Sequence, residues 1–523
     1  MRTQIGTAIL TAFACASNIY AAAPPQDRSA PNSLRPDRQV VIVVWDGMRP
    51  DFVSEQNTPN LWKFAQTGVT FRNHHAVYPS ATLVNGTAIN TGAYPQRSGI
   101  LANHEYRPSI DVHRSIDSEN VAVVRKGDQI SGGKYIGVRT IAELVHQSGG
   151  DTAIATAKTV GLLLDRHRQD ADAASRNIFA GRSLPHNAVE PIVKSLGPFP
   201  PPDRPAERDS WTAKALTDFL WAKKIPAFSV LWLSEPDDTE HKTAPGHPAA
   251  RAAMKSSDES LARILAALDK RDARSTSDVF VVSDHGFSTI ARSIDVPKIL
   301  RGAGFDAVTE FASEPKAGQI MIVGNGGTVL FYVIGHDAAM TRRLVEYLQR
   351  SDFAGVIFTR EPMKGTFTLD KAKINDSGAP DVEMAFHWSE NKNQFGIPGM
   401  IDADWQRAAG KGTHATLSKF DMHNVLIVAG PDFRRGEASD LPSGNVDLAP
   451  TILAVLGIKS DSMLDGRVLA EAMIGPETAK LEAATEKLET TKEFSDGTWL
   501  QELGISRVGS TIYLDQGNGG FTR

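Results

Sequence analysis

The sequence predicts an α/β chain, a three-layer α/β/α sandwich on a mainly parallel sheet. Two patterns and the length lead there. Continuous β-branched runs at 39–45, 152–156, 227–233, 279–282 and 425–428 suit strands buried on both faces. Helical patterns alternate with them at 58–67, 139–147, 211–221, 249–269 and 447–456. The 523 residues, 41% of them hydrophobic, are enough for a sizeable core. Ligands of such sheets bind beyond the carboxyl ends of the strands.

Along the chain, Arg2 precedes the small, apolar stretch 5–16, and Ala21-Ala22-Ala23 offers a cleavage region before Pro24-Pro25. This layout predicts a signal peptide over 1–23, and hence a periplasmic or secreted protein with no membrane span in its mature chain. The one cysteine, Cys15, falls inside that signal. It excludes an intramolecular disulfide framework and every multi-cysteine metal site. Residues 24–37 read as a linker and 38–315 as the first part of the α/β core. The texture then changes: 316–410 carries strand-like runs at 320–323 and 328–334 and a helical pattern at 338–350, and is predicted to be an inserted cap subdomain. The core resumes over 411–475. The C-terminal extension, 476–523, is expected to hold a charged helical segment from Thr478 and then a strand at 510–514. The formal net charge of −5 leaves no basic excess for a nucleic-acid-binding module. A small anionic substrate is compatible with it.

The polar residues fall where the strands end. The first strand ends in Asp46-Gly47. The run at 227–233 leads into Glu235-Pro236-Asp237 and on to His241. The run at 279–282 ends in Ser283-Asp284-His285-Gly286, and Gly412-Thr413-His414 precedes the last strand. One such aspartate alone reads equally well as a helix cap. Several at one sheet edge suit a divalent cation, and aspartate and histidine without cysteine suit zinc or a similar ion. Asp237 and His241 share a face if that segment is helical. Asp284 and His285 can both point into one site only if the chain turns at Gly286. Six ligands exceed the needs of one catalytic zinc and are enough for two, which could clamp a phosphoryl group. Thr82 follows a turn at Pro79 and stands near the start of a helical pattern, where anions are favoured. By itself it reads equally as an N-cap.

Taken together, these motifs resemble the alkaline phosphatase superfamily, in particular its type I phosphodiesterase/nucleotide pyrophosphatase branch. The likeness covers roughly 38–300 and 410–460. It implies an alkaline-phosphatase-like fold and two Zn2+ ions, other divalent cations being compatible. It places Asp237, His241 and His414 on one ion, and Asp46, Asp284 and His285 on the other together with Thr82. It makes Thr82 the nucleophile of a phospho-threonine mechanism and Asn103 a hydrogen-bond donor to a phosphoryl oxygen. Monoester-cleaving relatives carry a basic pair where this chain reads Lys158-Thr159-Val160, so one cation of the pair is missing. Lys158 is retained as a substrate-binding residue. A monoester dianion loses more from a missing cation than a diester does. The implied activity is therefore hydrolysis of phosphodiesters or pyrophosphates on a small phosphorylated substrate, such as a nucleotide, with alkaline phosphatase action on monoesters as the alternative. Val84-Asn85-Gly86 stands where the best-known nucleotide pyrophosphatases have Pro-Asn-His, which weakens the case for a nucleotide. His74, His75 and His423 read as packed histidines, and Gly324-Asn325-Gly326-Gly327 as a hairpin turn.

Overall fold

The computed structural model describes residues 34–166, 175–460, 462–475 and 481–523. The predicted signal peptide, Cys15 and most of the predicted linker lie outside the described residues. A nine-stranded sheet carries the core. Its strands are β1 (Gln39–Trp45), β2 (Val69–Phe71), β3 (Thr152–Thr156), β4 (Arg176–Phe179), β5 (Arg182–Leu184), β6 (Phe228–Leu233), β7 (Ser277–Val282), β8 (Leu426–Ala429) and β9 (Glu437–Ser439). Their order is β9-β2-β8-β7-β1-β6-β3-β4-β5. The centre, from β7 through β4, is parallel. β8 runs antiparallel to both β7 and β2, and β5 to β4, so the sheet is mixed.

The side chains of β1 show why the sheet is covered on both sides. Val40, Ile42 and Val44 pack on one face, Val41, Val43 and Trp45 on the other, and all are buried. The main helices are α1 (Pro59–Ala65), α2 (Thr82–Thr91), α3 (Ile141–Gln147), α4 (Pro205–Lys214), α5 (Asp237–Lys242), α6 (Pro248–Asp269) and α7 (Leu448–Leu456). Leu83, Ile89, Ile141, Leu144, Ile452 and Leu456 from α2, α3 and α7 cover the first face. Leu61, Phe64, Trp211, Met254, Leu261 and Ile264 from α1, α4 and α6 cover the second. Period-2 burial along the strand therefore meets period-3.6 burial along the helices, as a sandwich requires. The helix expected over 211–221 begins earlier, at Pro205, and continues past Lys214 as π-type turns over Ala215–Leu220.

A six-stranded sheet, Ala307–Val308, Ile320–Gly324, Thr328–Val333, Val382–Phe386, Ala354–Thr359 and Phe367–Thr368 in spatial order, occupies most of the region between the two parts of the core. Gly324 to Thr328 is a hairpin turn, with Asn325 N–H on Thr328 O at 2.8 Å. The strand Pro398–Asp404 pairs with Ser288–Ile294, which in turn pairs with Gly412–Thr413. That ladder ties the cap to the segments on either side of the metal-ligand candidates. The charged tail is a strand, not the expected helix. Ala483–Phe494 pairs along its length with Gly497–Val508, which pairs with Thr511–Thr522. Trp499, Gln501, Leu503 and Ile505 are buried at alternate positions of the middle strand. This period-2 burial outweighs the helical preference of Ala, Glu and Lys in the outer strand. Among the described residues, no helix is long and apolar enough to cross a membrane.

Candidate active site

Every predicted metal ligand arrives at the carboxyl edge of the central sheet. Asp46 follows β1, and Gly47 then takes φ +74°, so that its N–H reaches Asp284 Oδ1 at 3.0 Å. A Cβ on Gly47 would lie 3.0 Å from Asp237 Cβ, so glycine permits the close approach of two ligand-bearing segments. Asp237 and His241 stand one turn apart on α5, with His241 Nε2 3.3 Å from Asp237 Oδ1. Asp284 and His285 follow β7, and the chain bends at Asp284 rather than at Gly286, where the sequence predicts the turn. A Cβ on Gly286 would sit 2.0 Å from the Phe420 carbonyl oxygen. His414 follows Gly412–Thr413 and stacks on His285 with ring centroids 3.7 Å apart. Thr82 opens α2, its Oγ1 3.3 Å from His285 Nε2.

The three histidines are held alike. Nδ1 of His241 bonds Gly412 O at 3.0 Å, Nδ1 of His285 bonds Gly286 O at 2.8 Å, and Nδ1 of His414 bonds Ser80 O at 2.8 Å. A carbonyl only accepts, so each Nδ1 carries the proton and each Nε2 offers its lone pair to the site. Burial lowers His241 and His414 below the usual imidazole range, and His285 lowers His414 further. Both are thereby kept neutral, as ligands must be. Asp46 Oδ1, Asp237 Oδ1 and Asp284 Oδ2 are buried without a hydrogen-bond partner. Burial, then Asp284, push Asp46 well above the carboxylate range. Burial likewise raises Asp284. For Asp237, burial acts upward, but His241 and Lys158 outweigh it and hold the carboxyl well below that range. Orphaned carboxylate oxygens facing imidazole lone pairs fit a divalent cation. Two groups have this geometry among the described residues: Asp237, His241 and His414, and Asp46, Asp237 and His285. The second takes Asp237 where the resemblance places Asp284, whose Oδ2 is 3.3 Å from His285 Nε2.

Lys158 lies between the two groups, its Nζ 2.9 Å from Asp46 Oδ2 and 2.6 Å from Asp237 Oδ2. Burial acts to lower its pKa, but the two aspartates raise it well above the usual lysine value. Its contacts are to the oxygens opposite the orphaned ones, so it braces both carboxylates and leaves their Oδ1 atoms for a cation. Asn103 accepts from Leu83 N–H at the start of α2 through Oδ1 at 2.9 Å. Its NH2 is the end that can donate to a substrate. Thr82, Asn103, Lys158, Asp237, His241 and His414 all line one cavity of about 370 Å³. A larger cleft of about 1290 Å³, beside Arg343, Tyr347 and Phe494, contains none of them.

Several supporting residues escaped the sequence reading. Trp232 donates its indole N–H to Asp46 Oδ2 at 2.8 Å, although its apolar run marked it only as core. Asn445 donates to Asn85 Oδ1 at 2.9 Å and to Asp284 O at 2.7 Å, joining the first turn of α2 to the Asp284 segment. The one sequence signal for Asn445 was its place just ahead of a helix. His74 and His75 are buried and His423 is half-buried against His75, packed as expected.

A family model for type I phosphodiesterase/nucleotide pyrophosphatase matches residues 40–388, most of the core and much of the cap. The chain belongs to this family. With it comes membership of the alkaline phosphatase superfamily, whose fold the described structure shares. Ectonucleotide pyrophosphatase/phosphodiesterase family member 5 of Homo sapiens is 22% identical over 436 residues, covering 82% of this chain and 76% of the relative. A venom phosphodiesterase of Naja atra is 21% identical over 411 residues, which is 76% of this chain but 41% of the venom protein. The chain thus spans about two fifths of the venom proteins' length. The solved structure of the human family member 5 superposes with a TM-score of 0.59 at 16% identity, over 84% of this chain and 100% of that one. An inactive form of the murine protein in complex with AMP gives 0.56 at 17% identity, over 81% of this chain and 96% of that one. These structural likenesses support the fold. The type I phosphodiesterase family is metal-dependent, and the paired Asp/His groups of this member suit that dependence.

Proposed function

We propose that the protein is a two-zinc hydrolase of phosphodiester or pyrophosphate bonds, with Thr82 as its nucleophile, acting in the periplasm or outside the cell. The observation that carries this is the meeting of Thr82 Oγ1 with His285 Nε2 and of three orphaned carboxylate oxygens with imidazole Nε2 atoms, beside a cavity lined by Thr82, Asp237, His241 and His414. Asp237, His241 and His414 would hold one zinc. Asp46, Asp284 and His285 would hold the other, beside Thr82. Bound there, the two ions would supply Lewis-acid stabilisation of charge on the attacking and leaving oxygens. The chain's own residues do the rest. Asn103 hydrogen-bonds a non-bridging phosphoryl oxygen, and α2 presents its N-terminus to the anion. Thr82 attacks phosphorus in line and the alcohol leaves. Water then cleaves the threonyl phosphoester from the opposite side. Lys158 is occupied by two aspartates and Val160 offers no second cation. That favours a substrate of lower charge than a monoester dianion, and so a diester.

The test compares bis-p-nitrophenyl phosphate with p-nitrophenyl phosphate on one zinc-replete preparation. Faster diester turnover is expected, lost on chelation and regained with zinc. A preference for the monoester would make the protein an alkaline phosphatase. Turnover by thoroughly metal-free protein would remove the metals from the account.

A further inference from the structure

The cavity wall beyond the metal-ligand candidates is polar. Asp117, Glu119, Asp238, Arg208 and Arg407 line it, and among the described lining residues histidine supplies the only rings. Proteins hold nucleobases by stacking them on aromatic side chains, and quaternary ammonium groups in aromatic cages. This wall offers no Phe, Tyr or Trp for either purpose. It offers unpaired hydrogen-bonding atoms instead. Glu119 Oε2 is buried with no partner, and so is Arg208 Nε. Burial, with Asp117 beside it, raises the Glu119 carboxyl to about 7, so near neutrality it can either donate or accept. The Arg208 guanidinium is fixed over the Phe199 ring at 4.9 Å and donates through Nη2 to Ala157 O at 2.9 Å. Asp238 Oδ2 stands 3.8 Å from its Nη1, too far for a hydrogen bond that would saturate it.

From these features we infer that the ester bound here carries a hydroxyl-rich alcohol, a polyol or a sugar, whose hydroxyls are bound by Glu119 and Arg208. Each hydroxyl both donates and accepts, so neighbouring hydroxyls can satisfy both orphaned atoms without any flat surface. This rests on reading the site as a phosphodiesterase and names the substrate class within that reading.

The test uses zinc-replete full-length protein and four diesters that share p-nitrophenol as leaving group. Their second alcohol is glycerol, choline, thymidine or methanol, so leaving-group chemistry is constant. The glycerol ester should exceed the methyl ester in kcat/KM by about tenfold or more, and should also exceed the thymidine and choline esters. In Glu119→Leu and in Arg208→Met the glycerol-to-methyl ratio should fall about tenfold, the scale of one hydrogen-bonding group left unsatisfied. A thymidine or choline ester turned over fastest would overturn the inference, as would a ratio that neither variant moves. If a variant fails to fold, the wild-type panel decides alone. Turnover of the methyl ester with no gain from glycerol defeats the inference and leaves the phosphodiesterase reading standing. Four inert esters would defeat both.

Discussion

A threonine hydroxyl is a weak nucleophile at neutral pH and needs help to lose its proton. Thr82 stands where that help is concentrated, at the N-terminus of α2 and 3.3 Å from a histidine whose other nitrogen is committed to a carbonyl. Its backbone role as the first residue of the helix needs no hydroxyl, because the helix has no side-chain cap bond at its start. Chemistry and folding are therefore separable at this position. Thr82→Ala is expected to lower diester turnover by at least ~10³-fold, the scale seen when a covalent nucleophile is removed, with a melting temperature close to that of the wild type. Stopped-assay kinetics and a thermal melt on the same sample check both halves. A variant retaining a tenth of the activity would take Thr82 out of the mechanism.

The first turn of α2, which holds Asn85, and the turn after β7 come from distant parts of the chain, and the elements themselves do not touch through strand pairing. Asn445 connects them with two donated bonds, and its Oδ1 meets His74 Nε2 at 3.0 Å. Replacing it with leucine strands buried acceptors on both sides, at a cost of about 2 kcal/mol or more, and loosens the Thr82–His285 spacing. Asn445→Leu should therefore lose stability in urea and lose kcat by more than its KM changes, whereas unchanged kcat in the folded variant would make Asn445 purely structural. This tie also marks the limit of what the sequence discloses. The candidate ligands were legible because several acids and histidines fall together at the ends of apolar strands, where helix capping would account for only one of them. β1, β3, β6, β7 and the hairpin after Gly324 were legible because their patterns are local. Asn445 and Trp232 act through partners more than a hundred positions away, and nothing beside them in the chain signals that. The tail misled for a related reason: Ala483–Phe494 has helical composition, and only its pairing with Gly497–Val508 makes it a strand.

Across the whole molecule, buried ionisable groups away from the metal ligands set opposing limits on stability. His74, wholly buried between Ser443 Oγ and Asn445 Oδ1, is lowered by burial to about 3. His423 is lowered to about 3 by burial and by His75. An unfolded histidine titrates near 6.5, so between that pH and about 3 the unfolded chain binds protons that the folded chain refuses, and acid destabilises. Glu383 acts in the other direction. It is fully buried in the cap sheet, and burial raises it from an ordinary 4.5 to about 8. Below 4.5 both states hold the proton and nothing is lost. As pH rises from 4.5 to about 8, the unfolded carboxyl ionises while the folded one stays neutral, so stability drains over that window and levels off above it. Glutamine has the same shape and never ionises. Glu383→Gln should therefore match the wild type near pH 4.5 and be the more stable protein at pH 8, by on the order of a few kcal/mol given about 1.4 kcal/mol per pH unit. Thermal melts of both proteins at these two pH values decide it: a stability difference that does not widen with pH would mean that Glu383 ionises in the fold and is paired there.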